Sequence, residues 1–286
     1  MLITRLWTGA LLVAIGLGIL VADAWLAPWF PLLLAAALLA LALATRELVQ
    51  LLPAPGLRSW LAQLGVILVV LANWPAQLWE VGTAWHWVGL TAMGLFQLTF
   101  LVEAATYRGP GEAALRISLT WLAIGYLGVL SSFLLQLRWL PGGQSSLALA
   151  LAIFVPKSCD IGAFFIGRAT GRHPMSPILS PKKTWEGAVG GILVSTAVAL
   201  GINALGSIVS LGRPLLPWAN AAAFGAVIGA VGMLGDLMES LLKRDSGKKD
   251  AANLIPSFGG VLDVLDAILF SAPVSYVWIM LACGAR

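Results

Sequence analysis

With 59% hydrophobic and only 10% charged residues over 286 positions, this chain is excluded from the water-soluble globular class, where about 25% of residues are charged. Two cysteines, Cys159 and Cys283, cannot build a disulfide framework, and two histidines, His86 and His173, cannot complete a Cys/His metal cluster. The net charge of +4 points to an anionic membrane face or a phosphorylated substrate, not to nucleic acid.

A membrane span needs about 20 apolar residues. In chain order, spans are expected over 6–22, 28–45, 59–75, 86–104, 116–137, 146–167, 186–210, 220–240 and 261–283. Arg5 and the Ala22-Asp23-Ala24 triplet resemble a signal peptide. The first apolar run is long and the rest of the chain is equally apolar, so an uncleaved helix is expected. The fold class is thus all-α, a polytopic membrane protein of about nine transmembrane helices.

Cytoplasmic connections carry the excess of Lys and Arg. With the N-terminus cytoplasmic, the inner side holds 13 of them, from Arg5 to Lys249, and the outer side only Arg138, Arg213 and Arg286. The N-terminus is therefore expected inside, in a cell (inner) membrane. Trp25, Trp29, Trp74, Trp79, Trp85, Trp87, Trp139 and Trp218 fall in or beside the outer connections. They read as an interfacial aromatic belt.

Residues 1–140 carry Leu- and Ala-rich spans with few polar groups, whereas 141–286 is rich in glycine and holds nearly all the polar chemistry. Both parts are read as one integral membrane unit. Gly187, Gly191, Gly225 and Gly229 have the spacing that lets helix backbones approach closely. No internal repeat is evident.

Three stretches of this C-terminal part concentrate ionisable groups, which are functional by default at a bilayer. In the first, helical spacing places Asp236, Glu239, Ser240 and Lys243 on one face at the cytoplasmic end of a span. That face suits a cavity better than lipid. In the second, Asp263 and Asp266 share a face behind Gly259-Gly260, whose backbone is free to turn tightly. Paired carboxylates in low dielectric repel unless a metal or proton lies between them. Mg²⁺, which takes one or two carboxylates with water and phosphate oxygens, would suit Asp236 and Asp263 on facing helices; a transporter's proton or cation relay is the alternative. Lys243, Arg244, Lys248 and Lys249 fall in the loop between these helices and suit a polyanion such as a nucleoside triphosphate.

The third stretch runs from Lys157 to Glu186. Lys157 and Asp160, three apart within a span, are expected to face the cavity as a pair. Ser180-Pro181 followed by Lys182, Lys183 and Thr184 reads as a rigid turn presenting two cations and a hydroxyl. No GxxxxGK[ST] run is present, so phosphate binding would not use a P-loop. Cys159 reads as packing, His173 as a loop residue and Glu186 as a helix-dipole partner or, with Trp185 and Gly187, as a closure of the site.

At these residues the sequence resembles the phosphatidate cytidylyltransferase (CDP-diacylglycerol synthase) family. Ser240, Leu242, Lys243, Arg244, Lys249, Asp250, Ala252, Ile255, Pro256, Gly259, Gly260, Val261, Asp263, Leu265 and Asp266 fit that family's signature in register. Phe258 stands where His is usual and Val264 where Arg is usual. The stretches from Asp160 to Arg168 and from Ser180 to Gly187 are also similar. The resemblance implies that CTP and phosphatidic acid give CDP-diacylglycerol and pyrophosphate in phospholipid biosynthesis.

It further implies Mg²⁺ held by Asp236 and Asp263, with Asp266 as a further ligand and a second cation left open. Asp236, Asp263, Asp266, Lys182 and Lys183 are then the expected catalytic groups. Lys157, Asp160, Ser180, Thr184, Ser240, Lys243, Arg244, Lys248, Lys249, Gly259 and Gly260 are the expected substrate contacts. The expected partners are CTP, phosphatidic acid and membrane lipids, without nucleic acid; a homodimer is compatible with the sequence. The alternatives are a CTP-dependent polyprenol kinase, a secondary transporter and an inactive relative.

Overall fold

A computed structural model describes residues 2–52, 57–79, 81–140, 144–209, 214–248, 252 and 259–284. Among these, nine helical segments are long and apolar enough to cross a membrane. The protein is an all-α, multi-pass membrane protein, with one two-stranded hairpin besides. Its contacts divide it into two compact units, Met1–Gln136 with Ser246–Asp263, and Leu137–Asp245 with Val264–Arg286.

The first unit begins with α1 (Leu2–Ala24) and α2 (Pro31–Leu51). Asp23 ends the first helix by accepting the Leu32 and Leu33 N–H groups at 2.9 and 3.3 Å. Those are orphan donors of the first turn of α2, which also starts on the pre-organised Pro31. Next come α3 (Ser59–Leu71), a short α4 (Pro75–Leu78) and α5 (Ala84–Ala105). The fifth span, Ala113–Trp139, is not one regular helix. It runs as α6 (Ala113–Ala123), a π-helical stretch over Ile124–Val129, and α7 (Leu130–Gln136), ending in a 3₁₀ turn.

The core of this unit forms where α3 meets the π-helical stretch. Val66, Val69 and Ile124 are fully buried, and a Cβ on Gly65 would fall 2.5 Å from Ile124 Cδ1. The polar groups inside satisfy one another. Asn73 donates to Ser132 Oγ at 3.0 Å and accepts from Gln136 at 3.1 Å. Glu103 is shared by Arg58 and Arg116 at 3.2 and 2.8 Å.

The second unit is built from α8 (Ser145–Thr170), α9 (Trp185–Val209), α10 (Trp218–Asp245) and most of α11 (Leu262–Gly284). Glycines bring these helices into backbone contact. A Cβ on Gly191 would lie 2.6 Å from the Cys159 carbonyl oxygen, and one on Gly225 2.6 Å from Thr196 Cα. On the other side of α10, a Cβ on Gly235 would sit 2.9 Å from the Asp266 carbonyl oxygen. The glycine spacing in the sequence therefore marks real close approaches.

Two expectations are corrected here. Ser180–Thr184 is not a turn but strand β2, antiparallel to β1 (Pro174–Ser176), and the turn lies at residues 177–179. Lys243 and Arg244 are not loop residues. They occupy the last turn of α10, where cations complement the exposed helix carbonyls.

Candidate active site

In the second unit, the polar residues of α8, α10 and α11 converge on one another because their own helices are otherwise apolar. Asp236, Glu239, Ser240 and Lys243 share the inward face of α10; Glu239, Ser240 and Lys243 are buried and Asp236 is partly so. Glu239 and Lys243, one turn apart, pair at 2.7 Å. Lys157 Nζ on α8 reaches Asp266 Oδ1 on α11 at 2.7 Å and Asp160 Oδ2 on its own helix at 3.5 Å. Lys183 Nζ on β2 lies 2.5 Å from Asp236 Oδ2.

Four carboxylates, Asp160, Asp236, Glu239 and Asp266, thus alternate with three ammonium groups, Lys157, Lys183 and Lys243. The cluster carries a formal charge of −1. Burial of such groups is tolerable only when each charge has a close opposite partner, and leaving one alone is strongly unfavourable.

The cluster borders a cavity of about 460 Å³, whose wall includes Asp160, Arg168, Lys182, Lys183, Thr184 and Asp236. Phe164, Met175 and Met233 supply apolar surface. One pocket therefore combines cations, carboxylates and an apolar wall. Thr184 also caps α9, accepting the Gly187 N–H at 3.1 Å. Glu186 accepts from His173 Nδ1 at 2.6 Å and from the Arg172 and His173 backbone N–H groups, so it braces the hairpin. Arg244 Nε donates to the Leu179 carbonyl at 3.2 Å, which ties the end of α10 to the hairpin turn.

The donor set suits a hard divalent ion. Asp236, Glu239 and Asp266 each offer one carboxylate oxygen, all within 4.8 Å of one another. Oxygens around one octahedral Mg²⁺ are about 3–4 Å apart, so modest closure would bring this all-oxygen set into range. Glu239, on the polar face but outside the expected metal set, belongs to this group. Its spacing of three from Asp236 was the sequence signal for it. Arg168 sits in the last turn of α8, and nothing in the sequence placed it on the cavity wall.

The remaining predicted residues fall differently. Asp263 Oδ2 accepts the Gly260 N–H at 2.6 Å, within the first unit. Gly259 adopts φ 98°, a conformation open to glycine. Lys248 donates to the Gln50 carbonyl at 2.8 Å. Ser180 is partly buried at the start of β2. Lys249, Asp250 and Phe258 lie outside the described residues.

Fold and cluster define a class: an integral membrane protein with a carboxylate–lysine cluster beside a basic, partly apolar cavity. The chain belongs to the cytidylyltransferase family, whose pattern matches residues 3–282. It is 35% identical over 194 residues to the phosphatidate cytidylyltransferase of Synechocystis sp., covering 58% of this chain and 62% of that one. The Helicobacter pylori protein of the same name is 39% identical over 127 residues, covering 44% of this chain and 45% of its own. The Mycobacterium tuberculosis protein of that name is 35% identical over 169 residues, 59% and 48% respectively. In each case the match spans less than two thirds of the relative's length.

Proposed function

We propose that this protein transfers the cytidylyl group of CTP to phosphatidic acid, forming CDP-diacylglycerol and pyrophosphate. The observation that carries this reading is the cavity that places Lys182, Lys183 and Arg168 beside Asp160 and Asp236, with apolar residues on the same wall. A triphosphate needs cations and a carboxylate-held metal, and a lipid phosphate needs cations next to an apolar surface. The names of the similar proteins support the same reading.

In this mechanism a phosphatidate oxygen attacks the α-phosphorus of CTP in line, and the bond to the bridging oxygen of the departing pyrophosphate breaks. The attacking phosphate monoester is largely ionised near neutral pH, so no side chain need remove a proton. A His at position 258 is dispensable on that account. Asp236, Glu239 and Asp266 would hold Mg²⁺, with Asp263 of the family signature as a further ligand. The ion would neutralise phosphate charge.

Lys183 pairs with Asp236, and Lys157 with Asp266. With those carboxylates turned to a bound ion, these ammonium groups would be able to meet phosphate oxygens, where charge builds in the transition state. Lys182, exposed on the hairpin, is a further cation for phosphate charge. The positive-inside bias supports a site on the cytoplasmic side of the cell (inner) membrane, where CTP is supplied, with the N-terminus on the same side.

The test uses purified full-length protein, phosphatidic acid and CTP labelled at either the α- or the γ-phosphate. The α label should appear in lipid only when Mg²⁺ is present, and the γ label in pyrophosphate. Transfer of the γ label to lipid would make the protein a lipid kinase. Substrate flux in liposomes without CTP consumption would make it a transporter. Either result overturns the reading.

A further inference from the structure

Glu47 lies one turn short of the end of α2 and is only 3% exposed. Among the described residues, no Lys, Arg or His forms an ion pair with it. Its partners are instead two backbone amides 214 and 215 residues away. Oε1 accepts the Val261 N–H at 2.9 Å and Oε2 the Leu262 N–H at 2.7 Å. These amides are orphan donors at the start of α11, the positive end of that helix.

The neighbouring sequence is shaped to this contact. Gly260 is buried, and a Cβ there would run into the Glu47 carboxylate. Its own N–H donates to Asp263 at 2.6 Å. All three amides that open α11 are therefore held by carboxylates, two of them by a residue from the other end of the chain. The helix start so fixed carries Asp263 in its first turn.

We infer that Glu47 is a positioning residue for Asp263, the family-signature carboxylate in the first turn of α11, clamping that helix start in depth and rotation. The inference rests on the proposed role of that carboxylate in holding metal. Groups that orient metal ligands from behind typically matter about 10–100-fold in metal affinity or activity.

The experiment compares full-length wild type, Glu47→Ala, Glu47→Gln and, as a control, Leu48→Ala at a fully buried neighbour. Two readouts need no turnover: Mn²⁺ binding followed by electron paramagnetic resonance, and hydrogen exchange of the peptide covering residues 259–266. Glu47→Ala should weaken Mn²⁺ binding by about 10-fold or more and speed that exchange. Glu47→Gln, which keeps one acceptor oxygen, should fall between. Leu48→Ala should lower thermal stability without moving Mn²⁺ affinity.

Wild-type Mn²⁺ affinity and exchange in both Glu47 variants would overturn the inference, as would equal weakening by Leu48→Ala. If Glu47→Ala does not fold, Glu47→Gln decides on the same readouts. A wild-type protein that binds Mn²⁺ but makes no CDP-diacylglycerol would defeat the proposed function and leave this test standing.

Discussion

Lys157 stands between two carboxylates, and one of them, Asp266, is almost wholly buried at 2% exposure. Removing the cation while keeping the acid would strand a charge in low dielectric, a loss of about 3–5 kcal/mol. Lys157→Met should therefore lower the thermal midpoint sharply. Adding Asp266→Asn should restore part of that stability without restoring activity, a coupling that a double-mutant cycle in detergent would measure. Asp236→Asn and Glu239→Gln act on the donor set itself. Each should reduce CDP-diacylglycerol formation from α-labelled CTP by at least about 100-fold, the scale seen when a group aimed at developing charge is removed. Near wild-type rates in Glu239→Gln would exclude it as a ligand.

Helices were legible from the sequence because a span is a long, uniform signal. Each of the nine expected segments overlaps a helical segment of the structure. Their ends were not, since polar residues can extend a helix when other groups satisfy them. Glu47 lies inside α2 bonded to the Val261 and Leu262 amides, and in α10 Lys243 pairs with Glu239 while Arg244 reaches the Leu179 carbonyl. The face of α10 could be read from its spacing, whereas the partners of that face could not. Nothing local specifies that Lys183 reaches Asp236, or that the second unit sets Asp266 beside Glu239. The π-helical stretch at Ile124–Val129 was equally hidden inside an unbroken apolar run.

Glycine positions separate packing from propensity at this same scale. Gly191→Val and Gly225→Val would force side chains into facing backbone and should destabilise by about 1–3 kcal/mol each. Gly201, with nothing within 4 Å of a Cβ, should gain about 0.5–1 kcal/mol on replacement by Ala. Thermal melts of the purified variants would show whether the two classes part in this way.

Across the whole molecule, the proposed topology fixes which residues each compartment can reach. Ile178, at the hairpin turn and 87% exposed, should be labelled as Ile178→Cys by an impermeant maleimide only after the membrane is opened. Gln144, in the predicted outer connection, should react as Gln144→Cys in intact cells. Reversal of the two results would place the cavity on the side without CTP. Chelation of divalent ions should silence turnover and leave the helical content unchanged, because the second unit's cluster is already balanced to within one charge by its lysines.

The bond from Glu47 to Val261 also sets a timetable for synthesis. Its partner is made 214 residues later, which at about 5–20 residues per second is a delay of roughly 10–40 s. Through that interval α2 would hold a carboxylate near its end with no amide to receive it, while six further spans are inserted. Nascent chains stalled before residue 259 would present this unmet acid to quality-control proteases. Completion of the chain would be what removes it from their reach.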